Sequence, residues 1–317
     1  MRALVTGAEG FAGRHLVRHL LECGDEVAGV GLHVAPEFLD LGRGVFTFHE
    51  LDICDNAACA RVISEFKPEV IYHLAAVAFV PEAESDFDRV LRINVGGTNN
   101  IARVCHLLQS GVTLLYVSSA EVYGCFSPEH LPLTEEAPLR PVNNYSLSKL
   151  MGELVVDRYA RGGYMRAVVV RPFNHIGPGQ DVRFVVSSFA EQLARVAKGK
   201  AQPLLRVGNL EAQRDFSDVR DIVRGYRLAA LKGDGVYNLC SGRPVSIRAV
   251  LDMLIEIAGL KVAVEREPGR MRPVDIPVMY GSCEKAQREL GWKAARDLRD
   301  TLAEIYREKC RELGTLR

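Results

Sequence analysis

The sequence predicts an α/β protein built on a doubly wound parallel sheet, with a smaller C-terminal region interleaved with it. Two observations carry this reading. Short apolar runs rich in β-branched residues, at 3–5, 26–30, 70–74, 114–117 and 167–170, alternate with longer helical patterns at 13–23, 56–66, 90–108 and 145–159. The runs are apolar at successive positions rather than at every other one, as strands covered on both faces require. Alternating strand and helix in one chain makes the sheet parallel and puts helices on both sides of it.

After residue 172 the texture changes. Proline and glycine become more frequent, and helical patterns follow at 184–198, 247–258 and 299–310. The strand-like run 236–239 is expected to return to the main sheet, which makes the boundary between the two regions approximate. A chain of 317 residues with 48% hydrophobic content can bury a substantial core. Forty basic residues balance forty acidic ones, so nothing global points to nucleic acid or an anionic membrane, and an anionic ligand must be met by a local cluster. The eight cysteines, at 23, 54, 59, 105, 125, 240, 283 and 310, form no CxxC and no metal-like pairing. Reduced core thiols in a cytoplasmic protein are the expectation. No run reaches the roughly 20 apolar residues of a membrane span.

The first strand runs into Val5-Thr6-Gly7-Ala8-Glu9-Gly10-Phe11-Ala12-Gly13. Glycines at a strand-to-helix turn let the backbone tighten and approach a pyrophosphate, which then lies at the positive end of the helix. The spacing is GxxGxxG rather than GxGxxG, and its place at the first such turn is what argues for a dinucleotide. An NAD-preferring site carries an acid at the end of the second strand. Here that end reads Gly29-Val30-Gly31-Leu32-His33. The missing acid leans the expectation toward NADP(H) over NAD(H), with Arg14 or His33 near a 2′-phosphate. Asp52 and Ile53 after the third strand, and Leu74, Ala75 and Ala76 after the fourth, fall where an adenine and its ribose would lie.

Tyr145 and Lys149 stand four apart, on one helical face. A free phenol titrates near pH ~10, and a neighbouring ammonium with an oxidised nicotinamide is expected to draw it down. Such a tyrosine exchanges the proton of a carbonyl/alcohol pair while the nicotinamide carries the hydride. Ser118-Ser119 ends the intervening strand, and the Ser119 hydroxyl is expected to donate to the same substrate oxygen.

These residues together resemble the extended short-chain dehydrogenase/reductase family, whose members act on nucleotide-activated sugars. The resemblance rests on TGAEGFAG at 6–13, HLAA at 73–76, Asn94, SSAEVYG at 118–124, YSLSK at 145–149 and RPFN at 171–174. It implies a Rossmann domain over 1–172, with return segments near 216–242, and a nucleotide-sugar region over 173–317. It further implies Asn94, Tyr145, Lys149 and Arg171 beside the cofactor, and a homodimer joined through a four-helix bundle of the helices near 90–108 and 145–159.

Asn174 is placed to meet a diphosphate or sugar, and the helix start at Val185 offers backbone donors to phosphate. Arg214 and Arg272 suit bidentate phosphate binding. Guanine presents adjacent N–H donors that Glu211 or Asn209 could accept. FNHIGPGQ at 173–180 and GNLEAQRDFSDVRD at 208–221 resemble the GDP-sugar branch, which includes GDP-mannose 4,6-dehydratases and GDP-4-dehydro-6-deoxy-D-mannose reductases. IGPGQ after FNH is more like the reductases. In the dehydratases a glutamate at the position of Glu121 acts as the base at C5. A reductase needs no such base, although those this chain resembles can keep the residue. The expected activity is therefore NAD(P)H-dependent reduction of the C4 keto group of a GDP-4-keto-6-deoxy sugar. A dehydratase with Glu121 as base, a C4-epimerase, and a non-enzymatic dinucleotide-binding regulator are the rivals, the last disfavoured by the presence of both Tyr145 and Lys149.

Overall fold

A computed structural model of the chain describes residues 1–38, 45–108, 111–270 and 276–315. The first half comprises β1 (Arg2–Thr6), α1 (Phe11–Glu22), β2 (Glu26–Gly31), β3 (Phe46–Glu50), α2 (Asn56–Phe66), β4 (Val70–His73), the short helices α3 (Val80–Ser85) and α4 (Phe87–Val90), a π-helical turn (Leu91–Gly97) running into α5 (Thr98–Leu108), β5 (Thr113–Val117), α6 (Asn144–Ala160) and β6 (Arg166–Pro172). The second half adds β7 (Asn174–Ile176), α7 (Val185–Ala197), β8 (Leu204–Val207), β9 (Gln213–Asp218), α8 (Val219–Lys232), β10 (Gly235–Leu239), β11 (Pro244–Ser246), α9 (Ile247–Ala258), β12 (Ala263–Arg266), β13 (Val278–Met279) and α10 (Leu298–Thr315).

The main sheet has seven strands in the order β10-β6-β5-β4-β1-β2-β3, all parallel. The chain starts in the middle and winds outward both ways, so the order reverses between β1 and β4. A crevice opens there at the carboxyl ends of the strands. The run near 236–239 does return: Val236 pairs with Val169 and Tyr237 with Val170.

Successive strand residues feed opposite faces, which is why the strands read as unbroken apolar runs. On β1, Ala3 and Val5 pack with Leu16 and Leu20 of α1 and with Ile222 and Tyr226 of α8. Leu4 between them packs on the other face with Val62 of α2, Ile101 of α5 and Val156 of α6. Each such leucine or valine stabilises the fold by about 1.5–3 kcal/mol relative to exposure. A separate apolar cluster, with Phe189 and Leu193 from α7, Leu254 from α9 and Ile305 from α10, supports the C-terminal region.

Helix ends follow local chemistry. Asp55 caps α2 by accepting from Ala58 N, and Ser246 caps α9 by accepting from Ala249 N. Asn143 and Ser146 form a reciprocal capping box at the start of α6. All eight cysteines are free thiols, but only Cys59, Cys105 and Cys240 are buried, so the expectation of core thiols holds for a minority of them. Among the described residues no helix is long and apolar enough to cross a membrane, and no acidic, histidine and cysteine cluster could hold a metal.

Candidate active site

The glycine turn forms one wall of the crevice. Gly7 adopts φ +67°, and a Cβ there would lie 2.8 Å from Ala75 N at the end of β4. A Cβ on Gly13 would collide with the Gly7 carbonyl oxygen, and one on Gly10 would crowd the same atom at 3.2 Å. Gly10 caps α1 without a side-chain hydrogen bond, which leaves the first amides of that helix directed at the crevice. Phe11 and Ala12 form the first turn of α1. Glycine at these positions lets the turn, the start of α1 and the loop after β4 approach closely, and this backbone cradle fits a dinucleotide pyrophosphate.

A buried histidine fixes the crevice floor. The Thr98 hydroxyl donates to Asn94 O (2.5 Å), so His73 Nε2 must be the donor to Thr98 Oγ1 (2.9 Å). Nδ1 then accepts from the Thr6 hydroxyl (2.7 Å), whose oxygen accepts from Ala75 N (3.3 Å). Leu74 N donates to Thr6 O, and Ala76 follows in the same loop. Burial, then the nearby Lys149 charge, pushes the His73 pKa down to about 3. The unfolded chain therefore takes up a proton below about pH 6.5 that the folded chain refuses, and the stability complete above that pH is lost as pH falls toward 3, at about 1.4 kcal/mol per pH unit. Denaturant titrations at about pH 7 and pH 5 should show a smaller acid loss for His73→Gln than for the natural chain; equal losses would contradict this account.

On the far side of the crevice, Ser119 ends β5 and opens a tight turn, with its oxygen accepting from Glu121 N (3.2 Å). Tyr145 lies in the first turn of α6, and the Ser119 side chain lies close enough to its phenol to favour the ionised form. Glu121 completes the group: Asn143 Nδ2 donates to its Oε2 at 2.9 Å. Burial and then the Glu121 charge push the Tyr145 pKa well up, against the pull of Ser119. One turn on, Lys149 is buried with Nζ over the Tyr116 ring at 4.7 Å. Burial lowers its pKa to about 7, opposed by the Glu153 charge. Within the chain itself, burial is the largest influence on both groups.

Two residues expected beside the cofactor have other duties. Asn94 is buried in the π-helical turn; its Oδ1 accepts from Val77 N (2.8 Å), and its Nδ2 donates to Val77 O (3.1 Å) and Ser148 Oγ (2.9 Å). It clamps the loop after β4 to the catalytic helix. Arg171 reaches Glu153 through Nε (2.9 Å) and Nη2 (2.7 Å), and donates Nη1 to the Tyr123 hydroxyl (3.0 Å). Both residues are held by contacts within the protein. Arg14 donates to Gly179 O (2.9 Å), away from β2. His33 is exposed just beyond β2. Asp52 is exposed and accepts from Cys54 N, and buried Ile53 packs against Gly97. Asn100, which sequence reasoning missed, holds this loop by donating to Ile53 O and Cys54 O, each at 3.0 Å.

In the C-terminal region Asn174 is exposed at the start of β7, in register with Phe216 of β9, and Val185 is exposed at the start of α7. Asn209 Oδ1 accepts from Glu211 N (3.0 Å), while the Glu211 carboxylate pairs with Arg266 at 2.7 Å on the surface. Arg214 donates Nη1 to Gln213 O (2.8 Å) and Ile276 O (2.6 Å), bracing β9. Arg272 lies outside the described residues. His175 stacks on Phe11, with ring centroids 6.0 Å apart, and joins this region to α1.

The chain matches known proteins along nearly its whole length. A family model described as GDP-mannose 4,6 dehydratase matches residues 4–305. The chain belongs to this family. It is 34% identical over 306 residues to GDP-6-deoxy-D-mannose reductase of Pseudomonas aeruginosa, a match covering 96% of this chain and 95% of that one. Among solved structures, RMD from Pseudomonas aeruginosa complexed with NADPH is similar with a TM-score of 0.86 and 32% identity, covering 98% and 99% of the two chains. A Thermus thermophilus UDP-glucose 4-epimerase complexed with NAD has a TM-score of 0.86 at 30% identity, covering 98% and 99%. The family thus joins reductases, dehydratases and epimerases of sugar nucleotides on one parallel-sheet fold, as the sequence motifs imply, and its NAD(P)(H) cofactor class agrees with the crevice.

Proposed function

We propose that the protein reduces the C4 keto group of a GDP-linked 4-keto-6-deoxy sugar, of the GDP-4-dehydro-6-deoxy-D-mannose to GDP-D-rhamnose type, using NAD(P)H. One observation carries the reading: Tyr145 and Lys149 stand one turn apart at the start of α6, where Asn143 of the capping box holds the Glu121 carboxylate at 2.9 Å, and burial with the Glu121 charge favours the neutral phenol. A reductase begins with an acid that donates to the ketone oxygen. An epimerase or dehydratase begins by oxidising C4 and needs a base there.

A nicotinamide held in the crevice would supply the hydride for C4. Gly7, Gly10, Gly13 and the start of α1 hold the pyrophosphate, and Thr6 and Ala75 line the floor. Ser119 orients the ketone oxygen, Tyr145 gives it a proton, and Lys149, neutral or charged near pH 7, adjusts the phenol from one turn below. The C-terminal region, from Asn174 through Val185 to Arg214, closes over the nucleotide sugar, and the division at 172 assigns dinucleotide and sugar to separate regions. Leu147 and Leu154 of α6 and Leu107 of α5 are exposed, and Leu147 and Leu154 are one heptad apart, which supports a homodimer through these two helices. Free thiols support a reducing, cytoplasmic compartment.

Purified protein given the 4-keto sugar nucleotide should oxidise NAD(P)H stoichiometrically and yield a product heavier by two hydrogens. Unchanged nicotinamide absorbance would sink the proposal. The dehydratase reading survives on Glu121, whose carboxylate stands near Tyr145. Glu121→Gln separates the two. As base, Glu121 is worth about 10²–10⁴ in rate. In the reductase its charge only raises the phenol pKa, so the variant keeps its rate at neutral pH while the alkaline limb of the pH profile moves to lower pH. A collapse of rate at every pH, with water loss from GDP-mannose in the natural chain, would favour the dehydratase.

A further inference from the structure

The end of β2 carries no acid of its own, yet the structure places one there. Glu9, in the glycine turn, extends its carboxylate across to Gly31, the last residue of β2. Its Oε1 accepts from Leu32 N at 2.9 Å. Its Oε2 is buried and has no hydrogen-bond partner among the described residues. Gly31 makes room for this: a Cβ there would collide with both carboxylate oxygens and with Cδ of Glu9.

We propose that Glu9 is the residue that selects the dinucleotide, its half-buried carboxylate at the end of β2 accepting from the hydroxyls of the adenosine ribose and its charge repelling a 2′-phosphate, so that the protein prefers NAD(H) to NADP(H). The inference rests on the dinucleotide reading of the crevice given above. A carboxylate at the end of the second strand does this work wherever it comes from, because the ribose hydroxyls are donors and a phosphate is an anion. Here the side chain comes from the preceding turn, and glycine at the strand end is what admits it. The expectation of an NADP lean rested on the strand end alone, and the position of Glu9 removes its basis.

The test is equilibrium titration of the protein with NADH and with NADPH, followed by nicotinamide fluorescence. The natural chain should bind NADH at least about tenfold more tightly than NADPH. Glu9→Gln removes the charge and keeps the shape, and should shrink that ratio by about 10- to 100-fold, chiefly by strengthening NADPH. Gly31→Ala displaces the carboxylate with Glu9 intact and should shrink the ratio in the same direction, which guards against a turn that fails to fold in the first variant. Equal or tighter NADPH binding by the natural chain, or a ratio unchanged in both variants, overturns the inference alone. Binding of neither dinucleotide overturns it together with the reading of the crevice.

Discussion

Tyr145→Phe should fold, bind dinucleotide as the natural chain does, and lose about 10²- to 10⁴-fold in kcat for ketone reduction. The ring packs beside Val77, Ala83 and Val90, and phenylalanine keeps that packing. Only the phenol oxygen goes, and with it the proton for the ketone oxygen. Ser119 keeps its bond from the Glu121 amide, so the turn that presents it stays formed. The loss therefore falls on kcat, with KM little changed. In the natural chain the raised phenol pKa keeps the acid form through neutral pH. Turnover in the reductive direction should accordingly be flat near neutrality and fall only at alkaline pH, as the phenol deprotonates. A Tyr145→Phe rate within about a factor of ten of the natural one would remove the tyrosine from the proton path.

Local signals in the sequence reached the fold where chain neighbours decide the outcome. The bounds of α2 and α9 follow from Asp55 and Ser246 as caps and from Gly259, at φ 64°, as the stop of α9. Helix α8 was harder to see: its buried stripe of Val219, Ile222, Val223, Tyr226 and Ala230 is interleaved with Arg220, Asp221, Arg224 and Arg227. Its cap, Asp218, stands in a segment that reads first as a family motif. The π-helical turn at Leu91–Gly97 has no compositional mark, because what holds it is tertiary: Asn94 bonding to Val77 and Ser148.

The site divides the same way. Gly7, Ser119, Tyr145 and Lys149 are legible because a short spacing fixes each of them relative to a strand end or a helix turn. The carboxylate of Glu9 is not, since its destination belongs to the neighbouring strand, 23 residues further along the chain at Leu32. Asn94 and Arg171 sit in family-like motifs, and the resemblance alone places them beside the cofactor. Their partners within the chain become visible only once α6 packs against the sheet.

Arg171→Met should destabilise the fold by about 3–5 kcal/mol, the cost of leaving a buried carboxylate without its counter-charge. Arg171 and Glu153 have side chains only 5% and 9% exposed. Burial works against the guanidinium charge, but the bonds from Glu153 and Tyr123 outweigh it and push the Arg171 pKa up. The pair is the centre of a larger network. Ser118 donates to Glu153, Tyr123 donates to Asn238 Oδ1 (2.7 Å), and Asn238 donates to Leu133 O (3.0 Å). It thereby joins the end of β5, the catalytic helix α6, β6 and the returning strand β10. With the arginine gone, Ser118 is the one hydrogen-bond donor left to the carboxylate among the described residues, and a hydroxyl cannot replace a charged fork. Replacing both members by apolar residues, Arg171→Met with Glu153→Leu, removes the stranded charge and should recover most of the loss. Denaturant unfolding of the two variants checks both statements, and a single variant that loses less than about 1 kcal/mol would refute the uncompensated charge. Dinucleotide titration of the folded single variant separates this role from the expected one: affinity unchanged at temperatures where the protein is folded places Arg171 beneath the site, holding Ser119 and Tyr145 in register through the elements that carry them.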